Sequence, residues 1–164
     1  DGQNNMQLTD DKQIITEAIF SRGGDSVYYC KAKPLNMQPQ KVLIVDDEPD
    51  VELLFRQRFR KELREGIMTF DFAFSADSAL EYLKSLHPFD VVLLLSDINM
   101  PGMNGLELVR HVKKDFPLLK VIMVTAYGDE ANHMAALGYG ADDFITKPVD
   151  FTYLKERMAD LAKS

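Results

Sequence analysis

The stretch LLLSDINMPGMNG, residues 93–105, decides the fold of this chain. It begins as an unbroken apolar run, continues to an acidic residue at Asp97, and ends in a turn that contains Pro101, Gly102 and Gly105. A continuous apolar run is typical of a strand that is covered on both faces, and a carboxylate at the end of such a strand is costly to keep charged. The stretch therefore predicts a buried strand that delivers Asp97 to a site where a carboxylate is needed.

Further segments of the same kind lie on either side. The runs VLIV at 42–45, VVLLL at 91–95 and VIMV at 121–124 predict three central parallel strands, and shorter strands are expected at about 68–74 and at 143–145. Between the strands, apolar residues recur every three or four positions, as on one side of a helix. These stripes are Val51, Leu54, Phe55, Phe59 and Leu63; Ala76, Ala79, Leu80 and Leu83; Leu108, Val109, Val112 and Phe116; and Phe151, Leu154, Met158 and Leu161.

This alternation predicts an α/β fold in which a strand and a helix are repeated five times. Crossovers between parallel strands are right-handed, so helices should cover both faces of the sheet. The expected architecture is a doubly wound five-stranded parallel sheet, flavodoxin-like, with strand order 2-1-3-4-5. We assign residues 39–164 to this domain.

Residues 1–38 lie outside the alternation and are interpreted as an N-terminal extension and linker. A helix is expected over 9–22, followed by a β-like run at 27–30 and a linker around Pro34 and Pro39. The segment is too short to bury a core of its own. Docking on the main domain, dimerisation, an added tag and the remnant of a preceding domain are all left open, and the missing initiator Met favours a fragment of a longer chain.

The composition limits the classes of function. Of the 164 residues, 46% are hydrophobic and 27% are charged, and the formal net charge is −7, which argues against binding of nucleic acid or of an anionic membrane surface. No apolar segment approaches the roughly 18 residues that span a bilayer. Cys30, the lone cysteine, cannot form an internal disulfide. We therefore expect a cytoplasmic protein whose partners are proteins.

Polar residues follow the apolar runs at the predicted carboxyl ends of the strands. Asp46 and Asp47 follow the first strand, Asp97 the third, Thr125 ends the fourth, and Lys147 follows the fifth. Because ligands bind beyond the carboxyl ends of such a sheet, three carboxylates would converge there and need a cation, and hard oxygen ligands suit Mg²⁺. A carboxylate beside Mg²⁺ and a lysine can attack phosphorus and form an aspartyl phosphate, with Thr125 and Lys147 binding phosphoryl oxygens.

The motifs VLIVDDEP, SDINMPGMNG, VTAYGD and KPVD closely resemble, in their order and spacing, the receiver domain of two-component response regulators, the CheY-like family. The resemblance runs from about Lys41 to the C-terminus. It implies that Asp97 is the phosphoacceptor and also a ligand of Mg²⁺. Asp47 would bind Mg²⁺ directly, Asp46 largely through water, and the backbone carbonyl of Asn99 would be a third protein ligand. Phe144 falls at the aromatic switch position.

The same resemblance implies the partners. A sensor histidine kinase or a phosphotransfer protein would donate the phosphoryl group, and the surface formed by residues 126–164 would bind a downstream protein after phosphorylation. A homodimer is left open, and the basic run on the first helix, from Arg56 to Arg64, is a candidate docking surface for the kinase. We expect only self-phosphorylation and autodephosphorylation, and no other enzymatic activity.

Two features depart from the family pattern. The segment DVVLLLSD, residues 90–97, is two residues longer than usual, but an even insertion keeps each side chain on its face. We expect the strand start or the loop before it to absorb the extra length. Phe144 replaces the tyrosine of many relatives and lacks a hydroxyl group, so its ring alone would have to act as the switch.

The same residues, and the chain as a whole, allow other interpretations. Asp46 could cap the helix that begins near Pro49, and Asp97 could be a turn former. The whole chain could be a haloacid-dehalogenase-like phosphohydrolase, although DDEPD at 46–50 lacks that class's Asp-x-Asp-x-Thr motif. A flavodoxin-like nucleotide- or flavin-binding module lacks the expected Gly-rich loop. A degenerate receiver that binds partners without phosphorylation is disfavoured by the complete set of site residues.

Overall fold

The computed structural model describes residues 17–21, 27–31, 39–87, 90–91, 93–126 and 130–161. The chain divides into two compact units, residues 1–38 and residues 39–164.

The larger unit is built on a five-stranded parallel sheet. Its strands are β3 (Gln40–Val45), β4 (Met68–Ala73), β5 (Leu93–Asp97), β6 (Lys120–Thr125) and β7 (Asp143–Thr146). Their spatial order is β4-β3-β5-β6-β7, and every neighbouring pair is parallel. Counted within this unit, the order is 2-1-3-4-5, which confirms the predicted fold.

Strand β5 begins and ends later than the apolar run suggested. The prediction placed it at 91–95, but the strand runs from Leu93 to Asp97 because the backbone of Ser96 pairs with Val45 and that of Asp97 with Val124. Pairing of the backbone thus extends past the last apolar side chain. Asp97 is the last residue of the strand.

The helices follow the strands in the predicted alternation. They are α1 (Asp50–Arg58), α2 (Arg60–Arg64), α3 (Ala76–Ser85), α4 (Gly105–Asp115), α5 (Glu130–Gly138) and α6 (Phe151–Leu161). The first predicted helix is divided into α1 and α2 at Phe59, which is fully buried. Capping boxes begin α3 at Ser75 and α4 at Asn104.

The sheet separates two hydrophobic cores. One lies against α3 and α4 and contains Leu94, Leu108 and Val109. The other lies against α1 and α6 and contains a cluster of phenylalanine rings, in which Phe55 and Phe59 stack at a centroid distance of 5.8 Å. Each fully buried side chain of this size contributes about 1.5–3 kcal/mol to stability. These two cores fix the strand ends on which the site is built.

The smaller unit contains an antiparallel pair, β1 (Glu17–Ser21) and β2 (Val27–Lys31). The helix predicted over 9–22 is wrong for residues 17–21, because their backbone pairs with β2, from Glu17 opposite Lys31 to Ser21 opposite Val27. A partner strand only a few residues away outweighs weak local helix propensity. The β-like run at 27–30 is confirmed, whereas the rest of the predicted helix and the linker around Pro34 lie outside the described residues.

None of the helices in the described part of the chain is both long enough and apolar enough to cross a membrane.

Candidate functional site: an acidic crevice at the carboxyl edge of the sheet

The predicted site residues lie at one edge of the sheet. Asp46 follows β3, Asp97 is the last residue of β5, Thr125 is the last residue of β6, and Lys147 follows β7. Because all these strands are parallel, their carboxyl ends meet at this edge. Residues that lie up to about a hundred positions apart in sequence are thereby brought to neighbouring strand ends.

Three carboxylates converge in this crevice. One carboxylate oxygen from each of Asp46, Asp47 and Asp97 lies within 4.8 Å of the others. Asp46 and Asp97 are buried, with only 8% and 5% of their surface exposed. Two unit charges about 4 Å apart repel by about 4 kcal/mol at an effective dielectric constant of about 20. This set of hard oxygen atoms fits a divalent cation such as Mg²⁺.

Lys147 supplies a positive charge to the same crevice. Its Nζ atom donates a hydrogen bond of 2.7 Å to Oδ2 of Asp97 and lies 3.8 Å from Oδ2 of Asp46. Burial lowers the pKa of the Lys147 ammonium, but the hydrogen bond to Asp97 and the two carboxylate charges outweigh burial, so that this pKa is raised above its ordinary value. The backbone N–H of Lys147 also donates to the carbonyl of Thr125 at 2.8 Å, which fixes the start of the loop after β7.

Asp46 is buried, and its side chain does not cap helix α1. Its Oδ1 atom accepts a hydrogen bond of 2.9 Å from the backbone N–H of Glu48. The N-cap residue of α1 is Pro49, which makes no side-chain capping hydrogen bond, so the capping interpretation of Asp46 is wrong. Burial raises the pKa of Asp46, and the N–H of Glu48 and the charge of Lys147 offset only part of that effect. A cation in the crevice would favour the ionised form.

The turn after β5 is built against the backbone of Asp97. The N–H of Asn99 donates to Oδ1 of Asp97 at 3.3 Å, and the N–H of Gly105 donates to the carbonyl of Ile98 at 2.9 Å. A Cβ atom on Gly105 would lie 2.1 Å from the carbonyl oxygen of Asp97 and 2.8 Å from Cα of Ile98. Gly105 therefore allows the start of α4 to press against the end of β5. Gly102, in the same turn, has a φ of +75°.

Ser96 has a role that the sequence reasoning missed. It is fully buried, and its Oγ atom donates a hydrogen bond of 2.9 Å to the backbone carbonyl of Asp97. The sequence feature that could have indicated this role is a hydroxyl residue that directly follows the apolar run of β5. A buried hydroxyl needs a partner, and here its partner is the backbone of the central aspartate.

The two predicted switch residues lie on adjacent strands. Thr125 is buried, with 3% of its surface exposed, and its Oγ1 atom lies 3.4 Å from the carbonyl oxygen of Ala126. Phe144 is half-buried on β7, which lies at the edge of the sheet, and its ring centroid is 4.1 Å from that of His133 on α5. No sequence motif indicates this contact between His133 and Phe144.

A cavity of about 590 Å³ opens from the crevice toward α1 and the start of α6. Its wall includes Asp46, Asp97 and Lys147, so three of the predicted site residues line this space. The remaining wall is formed by Ile44, Val45, Glu48, Val51, Leu54, Phe55, Arg58, Leu95, Val124, Pro148, Val149, Asp150, Phe151 and Thr152. The volume is within the range of roughly 300–1,000 Å³ that is common for ligand sites.

A scan against family models matches residues 42–159 to the response regulator receiver domain. The chain belongs to this family. The receiver domain is 42% identical over 125 residues to the response regulator protein PilR of Pseudomonas aeruginosa, a match that covers 75% of this chain and 26% of PilR. It is 32% identical over 123 residues to a chemotaxis protein CheY homologue of Campylobacter jejuni, covering 74% of this chain and 91% of the homologue.

A solved structure supports the same assignment. The receiver domain of NtrX from Brucella abortus aligns with a TM-score of 0.66 and 30% identity, covering 75% of this chain and 98% of that one. The chain spans about a quarter of the length of several curated relatives, including PilR. Membership of the family favours the receiver interpretation of this chain over the phosphohydrolase and flavin-binding alternatives.

Proposed function

We propose that this receiver domain accepts a phosphoryl group on Asp97 from the phosphohistidine of a sensor histidine kinase or of a phosphotransfer protein. The observation that carries the proposal is the convergence of Asp46, Asp47 and Asp97 around a position that the ammonium of Lys147 reaches. This combination offers a nucleophile, a site for a cation and a cationic partner for phosphoryl oxygens, which are the groups that phosphoryl transfer needs.

In the proposed step, a carboxylate oxygen of Asp97 attacks phosphorus. The new P–O bond forms as the P–N bond of phosphohistidine breaks, and the electron pair of that bond remains on the imidazole nitrogen. Lys147 and the hydroxyl of Thr125 bind phosphoryl oxygens and thereby offset the charge that develops on them. The ammonium of Lys147 has three N–H donors, so it can bind a phosphoryl oxygen with a donor that its hydrogen bond to Asp97 does not use.

The carboxylates of Asp46, Asp47 and Asp97, together with the backbone carbonyl of Asn99, are the groups that would hold Mg²⁺. When bound there, Mg²⁺ would offset the charge of the carboxylates and of the phosphoryl group. The burial of Asp46 supports this proposal, because an ionised carboxylate in a buried position needs a compensating charge.

Phosphorylation would change the surface on the far side of β7. The proposed order is that Thr125 moves toward the phosphoryl group and that the ring of Phe144 turns inward into the space this leaves. The surface of residues 126–164 would then bind a downstream protein, or a second copy of the chain as a homodimer. Exposed apolar side chains support a binding role for this surface, among them Met134, Leu137 and Tyr153.

The proposal extends to the organisation of the chain. Residues 39–164 would be the functional receiver domain and residues 1–38 a separate segment, and the division of the chain after Gln38 supports that boundary. We further propose that the domain acts in the cytoplasm, where an unpaired cysteine remains reduced.

The proposal is tested by incubating the protein with Mg²⁺ and acetyl phosphate and measuring intact masses. We expect one phosphoryl adduct on the wild type that hydroxylamine removes, and none on Asp97→Asn or on wild type treated with EDTA. A wild type that folds and binds Mg²⁺ but takes up no phosphoryl group would instead support a degenerate receiver. Continuous release of phosphate from phosphate monoesters would support a phosphohydrolase.

A further inference from the structure

Ser96 is a fully buried polar residue directly before the proposed phosphoacceptor. Its backbone lies in register with Val45 on β3 and with Met123 on β6, and both of these residues belong to the core against α3 and α4. Successive side chains of a strand point to opposite faces, so Ser96 shares the face of Leu94, which lies in the same core. The hydroxyl group of Ser96 therefore lies on an apolar face, where it needs a partner within the protein.

The partner is the peptide group that joins Asp97 to Ile98. The Oγ atom of Ser96 donates to the carbonyl oxygen of Asp97 at 2.9 Å. The N–H of Ile98 donates to the carbonyl of Val124 at 3.1 Å. This peptide group is thus held at both its oxygen and its nitrogen. The neighbouring strand holds the nitrogen, whereas a side chain holds the oxygen, so a substitution can remove the contact at the oxygen alone.

The start of α4 covers the same oxygen atom. A Cβ atom on Gly105 would lie 2.1 Å from the carbonyl oxygen of Asp97, so the backbone of Gly105 packs directly against it. This packing leaves little space for a water molecule on that side, and a buried carbonyl that loses its donor is costly. Loss of the Ser96 hydroxyl therefore favours rotation of the peptide group toward another donor.

Rotation of this peptide group would displace the groups that follow it. The N–H of Asn99 donates to Oδ1 of Asp97 at 3.3 Å, and the carbonyl of Asn99 is one of the groups proposed to hold Mg²⁺. The carbonyl of Ile98 accepts from the N–H of Gly105 at 2.9 Å, which connects the turn to α4. The position of the Asn99 backbone relative to the Asp97 carboxylate therefore depends on the peptide group that Ser96 holds.

We infer that Ser96 is a positioning residue of the phosphorylation site. Its hydroxyl group fixes the peptide after Asp97 and thereby places the Asp97 carboxylate and the Asn99 carbonyl for binding Mg²⁺. Ser96 acts through the backbone and not by contact with the cation. The inference rests on the proposed function, since it assigns to Ser96 the orientation of groups that this function uses. Replacing a residue that orients metal ligands in this way typically changes metal affinity by about 10–100-fold.

Three variants separate this role from the packing of the core. Ser96→Ala removes the hydroxyl group, and Ser96→Thr keeps it. Val112→Ala is the control, because Val112 is fully buried in the same core on α4 and its truncation removes packing without removing the donor to Asp97. A variant that is merely less stable should behave like Val112→Ala.

The test measures two properties that do not require phosphorylation. Titration of each isotope-labelled protein with Mg²⁺, followed by amide chemical shifts, gives the dissociation constant of the cation. Hydrogen exchange in EDTA gives the protection of the Ile98 amide. The ratio of this protection to that of the Leu94 amide, which lies on β5 immediately before the apolar residue preceding Ser96, corrects for a change in overall stability.

We expect Ser96→Ala to raise the dissociation constant of Mg²⁺ about tenfold and to lower the protection of Ile98 relative to Leu94. Val112→Ala should change neither property, and Ser96→Thr should stay near the wild type. A Ser96→Ala protein with the Mg²⁺ affinity of the wild type would overturn the inference, as would a Val112→Ala protein that binds Mg²⁺ equally weakly. Failure of the proposed function looks different, because the wild type would then bind Mg²⁺ yet take no phosphoryl group from acetyl phosphate.

Discussion

The Nζ atom of Lys147 donates a hydrogen bond of 2.7 Å to Oδ2 of Asp97, although the strands that carry these residues are separated by β6. The lysine side chain thus crosses the end of an intervening strand to reach the central carboxylate. Its ammonium is also 3.8 Å from Oδ2 of Asp46. The ammonium of Lys147 therefore links the carboxyl ends of β3, β5 and β7 at the point where the proposed chemistry takes place.

Replacing Lys147 should affect both stability and chemistry. In Lys147→Met, Asp97 and Asp46 lose their cationic partner, and we expect the free energy of unfolding in EDTA at pH 7 to fall by about 1 kcal/mol, since the 37% exposed lysine side chain is partly screened by water. The pKa of Lys147 is raised, so its contribution is present in full below the ordinary lysine pKa and is lost as pH rises above it. Urea unfolding measures this effect.

The same variant should be phosphorylated by acetyl phosphate about a hundredfold more slowly, because one donor to the phosphoryl oxygens is missing. Lys155→Met is the control, since this lysine is similarly exposed, at 35%, but pairs with Glu62 away from the crevice. Equal phosphorylation rates for Lys147→Met and the wild type would contradict the role given to Lys147.

Asp46 should make stability depend on pH and on Mg²⁺. Its pKa is raised by burial, so the folded protein binds a proton at Asp46 more tightly than the unfolded chain does. Without Mg²⁺, its contribution to stability therefore falls as pH rises from the ordinary aspartate pKa through the raised one. We expect Asp46→Asn to remove this dependence and to be the more stable protein at pH 7 in EDTA.

Mg²⁺ should stabilise the wild type more than it stabilises Asp46→Asn. At ten times its dissociation constant, Mg²⁺ adds about 1.4 kcal/mol to the free energy of unfolding of the wild type, and Asp46→Asn should gain much less. Urea unfolding of both proteins from pH 4 to pH 8, with and without Mg²⁺, measures the effect. A variant that gains as much from Mg²⁺ as the wild type would show that Asp46 is no part of the cation site.

Gly105→Ala should be strongly destabilising. A Cβ atom would overlap the carbonyl oxygen of Asp97 at 2.1 Å, so that α4 or the end of β5 must move, at a cost of about 1–3 kcal/mol or more. Gly138→Ala is the control, since a Cβ atom there meets nothing within 4 Å and a helical alanine should stabilise by about 0.5–1 kcal/mol. Thermal or urea unfolding compares the two. A tolerated Gly105→Ala with normal phosphorylation would contradict the described packing.

The proposed movement of Phe144 on phosphorylation can be followed at His133. Its ring centroid is 4.1 Å from that of Phe144, so inward rotation of the phenylalanine ring should change the magnetic environment of the histidine ring. We expect the His133 ring resonances to shift on phosphorylation of the wild type, while those of His87, an exposed residue after α3, stay in place. An unchanged His133 spectrum in fully phosphorylated protein would exclude motion of Phe144 as the response.

Much of the main domain could be predicted because its signals are local. Continuous apolar runs identify buried parallel strands, and acidic or basic residues directly after them identify the site edge. Asp46, Asp97 and Lys147 were found in this way. The prediction failed where two local backbone conformations, helix and strand, compete for the same residues. The chain at 17–21 forms a strand because β2 pairs with it, and periodicity alone does not reveal that pairing.

Other features depend on backbone pairing or side-chain packing that no motif encodes. The end of β5 at Asp97 depends on backbone pairing with β6, and the contact of His133 with Phe144 depends on how α5 packs over β7. Likewise, Arg56 and Arg58 are alike in a basic run, and only the fold assigns one to an ion pair and the other to the cavity wall. The sequence thus predicts where the carboxylates converge, whereas the contacts of His133 and the residues of the cavity wall are seen only in the structure.

The most direct test of the central claim is to locate the phosphoryl group among the three converging carboxylates. Protein phosphorylated with acetyl phosphate is reduced with borohydride, which converts an aspartyl phosphate into homoserine, and the position of the homoserine is read by tandem mass spectrometry. The account predicts homoserine at position 97 alone. Homoserine at position 46 or 47 in the wild type would contradict it, since those carboxylates are assigned to the cation.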